Sequence, residues 1–103
     1  MTKYTVSVMN NLLHNTHIQL KDAQALGRQY DTFDAPKRRN LKKVKKGSVV
    51  KICDGKERFW VRVENRKNNL FLGTIQNNLI FGLYTHGDLI AFQTKNIYDI
   101  SCY

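Results

Sequence analysis

Apolar and polar residues follow one period in the first half of the chain and another in the second. KYTVSVM (3–9) alternates, with Tyr4, Val6 and Val8 on one side, and this predicts a strand followed by a loop, NNLLHN. Thr16 stands three residues before Gln19, the spacing of a capping box. Behind it, HIQLKDAQALGRQY sets Ile18, Ala23, Leu26 and Tyr30 near helical spacing, which predicts a helix over about 17–30. Gly27 lowers the propensity of that helix. Asp34-Ala35-Pro36 has the residue types that cap and open a second, short helical turn. In that turn Leu41 and Val44 would point inward, and Lys46-Gly47 would end it.

From residue 48 the period is two. SVVKIC (48–53), Asp54-Gly55 and KERFWVRVEN (56–65) form a hairpin signal, because a DG pair suits a two-residue turn with positive φ at both positions. That register sets Val50 opposite Phe59 and Lys51 opposite Arg58. One face then carries Val50, Ile52, Phe59, Val61 and Val63, and the other Val49, Lys51, Arg58, Trp60 and Arg62. RKNN (66–69) reads as a polar turn and LFLGTIQ (70–76) as a third strand, in which Gly73 marks a bend or a close backbone approach. DLIAFQ (88–93) is a fourth strand, and NIYDI (96–100) a terminal turn and short strand. The expected fold is α+β: an N-terminal strand and helix packed on a small, strongly bent antiparallel sheet or SH3-like β-barrel. With 103 residues the chain suits one domain, a strand-helix preface over 1–46 and a barrel-like sheet over 47–103.

Several short motifs stand in a distinctive order. They are ERFWV (Glu57 to Val61), Gly73 followed by Asn77, Gly87-Asp88 before an apolar strand, and Asp99 near the end. Together they resemble the DUF2314 family of small uncharacterised domains over roughly residues 22–103. DAQALGRQYDTFDAPK is similar, less closely, to that family's lead-in helix. Segments of this type also look like ones in proteins of bacteria and large DNA viruses. The chain departs from the family pattern at Asn77-Asn78-Leu79, where Asn-x-Pro is usual, and at Asp99-Ile100, where Asp-Trp is usual. The resemblance implies a fold and carries over no catalytic residues.

The charge balance adds a second constraint. Seventeen Lys and Arg oppose eight Asp and Glu, a formal charge of +9. Residues 1–46 hold ten basic and three acidic side chains, a balance of +7. Such a chain favours an acidic partner: nucleic acid, an anionic membrane or an acidic protein. The N-terminal segment lacks the apolar core and cleavage site of a signal peptide, and no segment approaches transmembrane length. Cys53 and Cys102 are far apart, so the expectation is free thiols in a reducing, cytoplasmic compartment.

The candidate chemistry centres on PKRRNLKKVKK (36–46), where Lys37, Arg38, Arg39, Lys42, Lys43, Lys45 and Lys46 stand with no acid among them. Cations so placed neutralise phosphates and release counterions. The competing account is a solvated face kept for solubility. Lys51, Arg58 and Arg62 surround Trp60 on one sheet face, where a ring among cations can stack a base. The competing account there is a Trp that covers a second small core under the N-terminal helix. His14 and His17, with Cys53, His86 and Cys102 scattered, lack the tight pairs of a zinc site, so no metal and no cofactor is expected. Nor does any nucleophile or phosphate-loop signature appear, and the chain reads as a non-enzyme. The leading expectation is a small basic module that binds nucleic acid, DNA or RNA. The alternative is a protein-interaction module for an acidic partner, and a homodimer through a strand edge is a third idea.

Overall fold

A helix, not a strand, opens the structure. The computed structural model describes residues 5–14, 20–80 and 84–101. Helix α1 is Val6–His14, and Thr5 caps it, accepting the Val8 N–H on its hydroxyl (3.2 Å) and the Met9 N–H on its carbonyl (3.0 Å). The strand expected over 3–9 is thereby corrected over 6–9, and its first two residues lie outside the described ones. Three alternating residues are too few to decide a period, and Met9, Leu12 and Leu13 share a helical face that is buried or half-buried. The expected NNLLHN loop belongs to the same helix over 10–14. Helix α2 is shorter than the sequence suggests, Ala23–Gln29, with Asp22 as its cap: Asp22 Oδ1 accepts the Ala25 N–H at 3.0 Å. The expected capping box at Thr16 and Gln19 lies outside the described residues. Tyr30, expected on the inner face, is 51% exposed just past the helix end.

Helix α3 is the single turn Arg38–Leu41. Its N-cap is Lys37, without a side-chain cap bond, so the capping role expected of Asp34 is not used. Leu41 and Val44 do point inward and are buried.

Five strands follow: β1 Val49–Cys53, β2 Arg58–Lys67, β3 Leu70–Ile75, β4 Leu89–Gln93 and β5 Asp99–Ile100. They form one antiparallel sheet in the order β4-β3-β2-β1-β5, with β4 and β5 unpaired at opposite edges, so the sheet is open. A 3-10 turn, Thr94–Asn96, joins β4 to the last strand.

The β1–β2 register differs by two residues from the one expected. Val50 pairs with Val61 and Lys51 with Trp60. The turn residues are Gly55 and Lys56, closed by Asp54 N–H to Glu57 C=O (3.2 Å), and positive φ falls on Gly55 alone (91°). Asp54 instead folds its carboxylate onto the Lys56 and Glu57 N–H groups, both at 2.9 Å. A slip of two leaves every side chain on the face expected of it, whereas a slip of one would reverse them. Val50, Ile52, Phe59, Val61 and Val63 are accordingly all buried.

β2 pairs with β1 from Arg58 to Arg62 and with β3 from Val61 to Lys67, and it bends at a bulge. Val63 pairs with Gly73 and Asn65 with Leu72, which leaves Glu64 as the extra residue. The bulge switches the alternation. Before it, even-numbered residues face away from the core; after it, Arg66 shares the inner face with Phe71. The main core lies on that inner face. Phe71 and Phe92 stack there, with centroids 5.1 Å apart, which adds roughly 0.5–1.5 kcal/mol to their burial. The reverse face of β3 and β4, with Leu72 and Ala91, lies under α1, whose Met9 Sδ is 3.7 Å from Asn65 Nδ2.

At Gly73 the β3 backbone lies close against β2. A Cβ at this position would run into Val61 Cγ1 and lie 2.7 Å from the Arg62 carbonyl oxygen. Gly73→Ala is expected to cost about 1–3 kcal/mol through forced backbone shifts. A urea titration checks it: the midpoint should fall while the slope stays constant.

Candidate nucleic-acid interface

The basic run is short of helical residues and rich in turns, and two apolar anchors hold it. Leu41 and Val44 enter the main core, and all seven cations between Lys37 and Lys46 stay exposed. None of the seven has a side-chain hydrogen bond or ion pair among the described residues. They are therefore available charges rather than halves of salt bridges.

A third anchor is Arg66, which the residue pattern places in a polar turn. Its Nη1 donates to the Leu41 carbonyl (2.9 Å) and the Val44 carbonyl (2.7 Å), and its Nε donates to the Asn68 carbonyl (2.7 Å). Its guanidinium carbon lies 4.6 Å from the centre of the Phe71 ring. The planar fork adds a second bond to the Leu41 carbonyl, which also accepts the Val44 N–H (3.2 Å), and binds the Val44 carbonyl just past α3, while the ring takes its face. Burial pulls the guanidinium below its ordinary pKa, and it remains charged. The bulge at Glu64 is what aims it there.

Around these anchors the run lines three concavities. One, of about 560 Å³, has Arg38 and Lys42 on one wall and gathers Arg28 from α2, Arg66 from β2 and Lys95 from the 3-10 turn. Its remaining polar lining is Gln24, Asn69, Gln93 and Thr94, with no carboxylate. The second, of about 820 Å³, shares Lys42, Arg66 and Asn69 with the first. It continues past Lys45, Lys46, Asn65 and Asn68, again without an acid. The third, about 500 Å³, is mixed: Lys37 and Arg39 meet Asp34, Tyr98 and Asp99. Lys43 lines none of the three. Sequence reasoning missed Arg28, Arg66 and Lys95, since nothing local marks three separated cations as neighbours.

The Trp60 face is elsewhere. Leu41 and Val44 seat the run on the Val50 side of the sheet, while Lys51, Trp60 and Arg62 project from the reverse side. These three concavities include none of Lys51, Arg58, Trp60 or Arg62. The Lys51 ammonium lies 4.7 Å from the Trp60 ring centre, so one face of the half-buried ring already has a cation. α1 packs on β3 and β4, and α2 against the 3-10 turn. Arg58 stacks on Tyr98 (5.0 Å) and Phe33 (5.7 Å), whose rings meet edge to face. The small second cluster at this corner is thus Phe33 and Tyr98. Burial pushes the Tyr98 phenol above its ordinary pKa, and the adjacent Cys53 adds to the push.

Among the described residues no group of three or more His, Cys, Asp or Glu is placed to hold a metal ion. His17 and Cys102 lie outside those residues. No helix among them is long and apolar enough to cross a membrane.

Arg66→Ala should cost roughly 1–3 kcal/mol, because it strips charge-assisted bonds from the Leu41 and Val44 carbonyls. Arg66→Lys should recover less than half of that loss, since an ammonium lacks the fork and the stacking plane. Chemical-denaturation midpoints of the three proteins give the comparison.

Set against known proteins, the chain matches no protein family, no curated protein and no solved structure.

Proposed function

We propose that this chain is a non-enzymatic binding module for nucleic acid, and that the basic run with the acid-free groove beside it is the contact surface. One observation carries the reading. Cations from four separate segments (Arg28, the run, Arg66 and Lys95) line two adjoining concavities that contain no carboxylate. Solubility requires mixed, dispersed charge. A gathered, uncompensated, concave set of cations fits a phosphate backbone. Lys37, Arg38, Arg39, Lys42, Lys43, Lys45 and Lys46 are the proposed phosphate contacts. Lys51, Arg58, Trp60 and Arg62 face the other way and form no part of the surface proposed.

The fold carries a proposal of its own. The order β4-β3-β2-β1-β5, the bend in β2 and the 3-10 turn before β5 support an SH3-like barrel opened between β4 and β5. Kinship with DUF2314 domains is proposed on the motif order, and the motif residues do meet. Trp60 N–H donates to Asn77 Oδ1 (2.7 Å), Ile80 N–H to Glu57 Oε1 (3.1 Å), and Gly73 lies against Val61. They knit the segment after β3 onto β2, a structural role that suits a shared fold.

Fluorescence anisotropy with labelled oligonucleotides at several salt concentrations tests the function. Log affinity should fall linearly with log salt. Changing Arg38, Arg39, Lys42 and Lys43 together to Gln should flatten that slope by up to about 3 for a single strand, at about 0.7 for each phosphate left without its cation. Binding that ignores salt, or that the fourfold variant leaves unchanged, contradicts the reading. An acidic protein then becomes the partner to seek.

A further inference from the structure

The groove does more than collect charge, because its polar side chains are already oriented. Thr94 Oγ1 donates to Asn69 Oδ1 at 3.1 Å, and Thr94 N–H donates to the Asn69 carbonyl at 3.0 Å. That engages the oxygen of the Asn69 amide and leaves its NH₂ without a partner among the described residues. Gln93 and Asn96 form a reciprocal cap on the 3-10 turn, in which the Gln93 side chain accepts the Asn96 N–H. Its NH₂ is likewise the end left over. Arg66 spends Nε and Nη1 on carbonyls, and its other Nη carries no hydrogen bond among the described residues. Arg28, Arg38, Lys42 and Lys95 complete the lining with cationic donors only. Gln24 runs the other way. Its Nε2 donates to the Pro36 carbonyl (3.0 Å), so its carbonyl oxygen is the amide end that remains.

A wall of cationic donors, with Asn69, Gln93 and Arg66 held in place among them, around an acid-free space suits an anion with several acceptor oxygens. Size narrows the choice. About 560 Å³ is the volume of a site for one small ligand, and one nucleotide of a strand is of that order. Two paired strands do not enter such a space. The adjoining concavity, through Lys42, Arg66 and Asn69, gives the strand a continuation past Lys45 and Lys46.

We propose that the groove between α2, α3 and the Thr94–Asn96 turn is a single-strand site. Arg28, Arg38, Lys42 and Lys95 hold its phosphodiesters, Asn69 and Gln93 donate to phosphate or base oxygens, and Gln24 accepts from a base amino group. The proposal rests on the nucleic-acid reading above and adds that the bound form is unpaired.

Arg28 and Lys95 are the deciding residues. Both lie outside the basic run, and neither has a side-chain bond among the described residues, so Gln at either position leaves the fold intact. The test is anisotropy titration of the full chain with a labelled single strand, the matching duplex, and unlabelled nucleoside triphosphate and inorganic polyphosphate as competitors. The proteins are wild type, Arg28→Gln with Lys95→Gln, the fourfold run variant, and Lys43→Gln as an off-groove control. Thermal melts confirm that all four are folded. The wild type should prefer the single strand. The double variant should lose about tenfold in single-strand affinity and about 1.4 in salt slope, at about 0.7 per phosphate. Lys43→Gln should change the slope by no more than the share of one phosphate. If the double variant binds the single strand as the wild type does while the fourfold run variant fails, the groove is not the site and the nucleic-acid reading survives. Equal loss for duplex and single strand overturns the unpaired form. Triphosphate or polyphosphate that competes as well as the strand overturns the strand as ligand. A wild type that binds no oligonucleotide removes both proposals.

Discussion

One guanidinium joins the two halves of this molecule. Arg66 reaches from the end of β2 to the carbonyls of Leu41 and Val44 and stacks on Phe71. Without that interaction, the segment that carries seven cations would lose its charge-assisted ties and keep two apolar side chains and the neutral bonds from Gln24 and to Ser48 near its ends. Like charges so close repel one another, and a loose segment would spread them into solvent. The fork holds the backbone still while leaving every lysine and arginine of the run exposed. Charge density at the surface therefore depends on a charge that is itself partly withdrawn from water.

The same guanidinium sets the shape of the surface. Arg66 lies where two concavities meet, between Lys42 and Asn69. It is thereby both a brace for the run and part of the lining. Thr94 and Asn69 pin the opposite wall, and the 3-10 turn carries Lys95 to the rim. A ligand that meets a preformed set of donors loses less to ordering of the protein than one that must gather mobile lysines. This separates a groove of this kind from a merely basic tail.

Much of this was legible in the residues and some was not, for identifiable reasons. Parity gave the faces of the hairpin correctly, because a two-residue error in register changes no side chain's direction. Leu41 and Val44 inside a run of cations could be read as anchors, and Gly73 as a close approach. The first helix was hidden by the accident of Tyr4, Val6 and Val8, since Val6 and Val8 are 45% and 43% exposed. Arg66 was hidden by a bulge at Glu64, and a bulge leaves little trace in a two-residue pattern. Arg28 and Lys95 were hidden by distance along the chain: only the packing of α2 beside the 3-10 turn brings them to the run. Whether the basic run adjoins the Trp60 face was not legible for the same reason, and the two lie on opposite sides of the sheet.

The most telling measurement is the change in amide and arginine side-chain NMR signals when a short single-stranded oligonucleotide is added at moderate salt. Shifts should concentrate at 37–46, at Asn69 and at 93–95, with the Arg66 Nε–H among them and the Trp60 indole unmoved. Shifts gathered around Trp60, Lys51 and Arg62, with the run silent, would contradict a strand site built on Arg66 and the basic run.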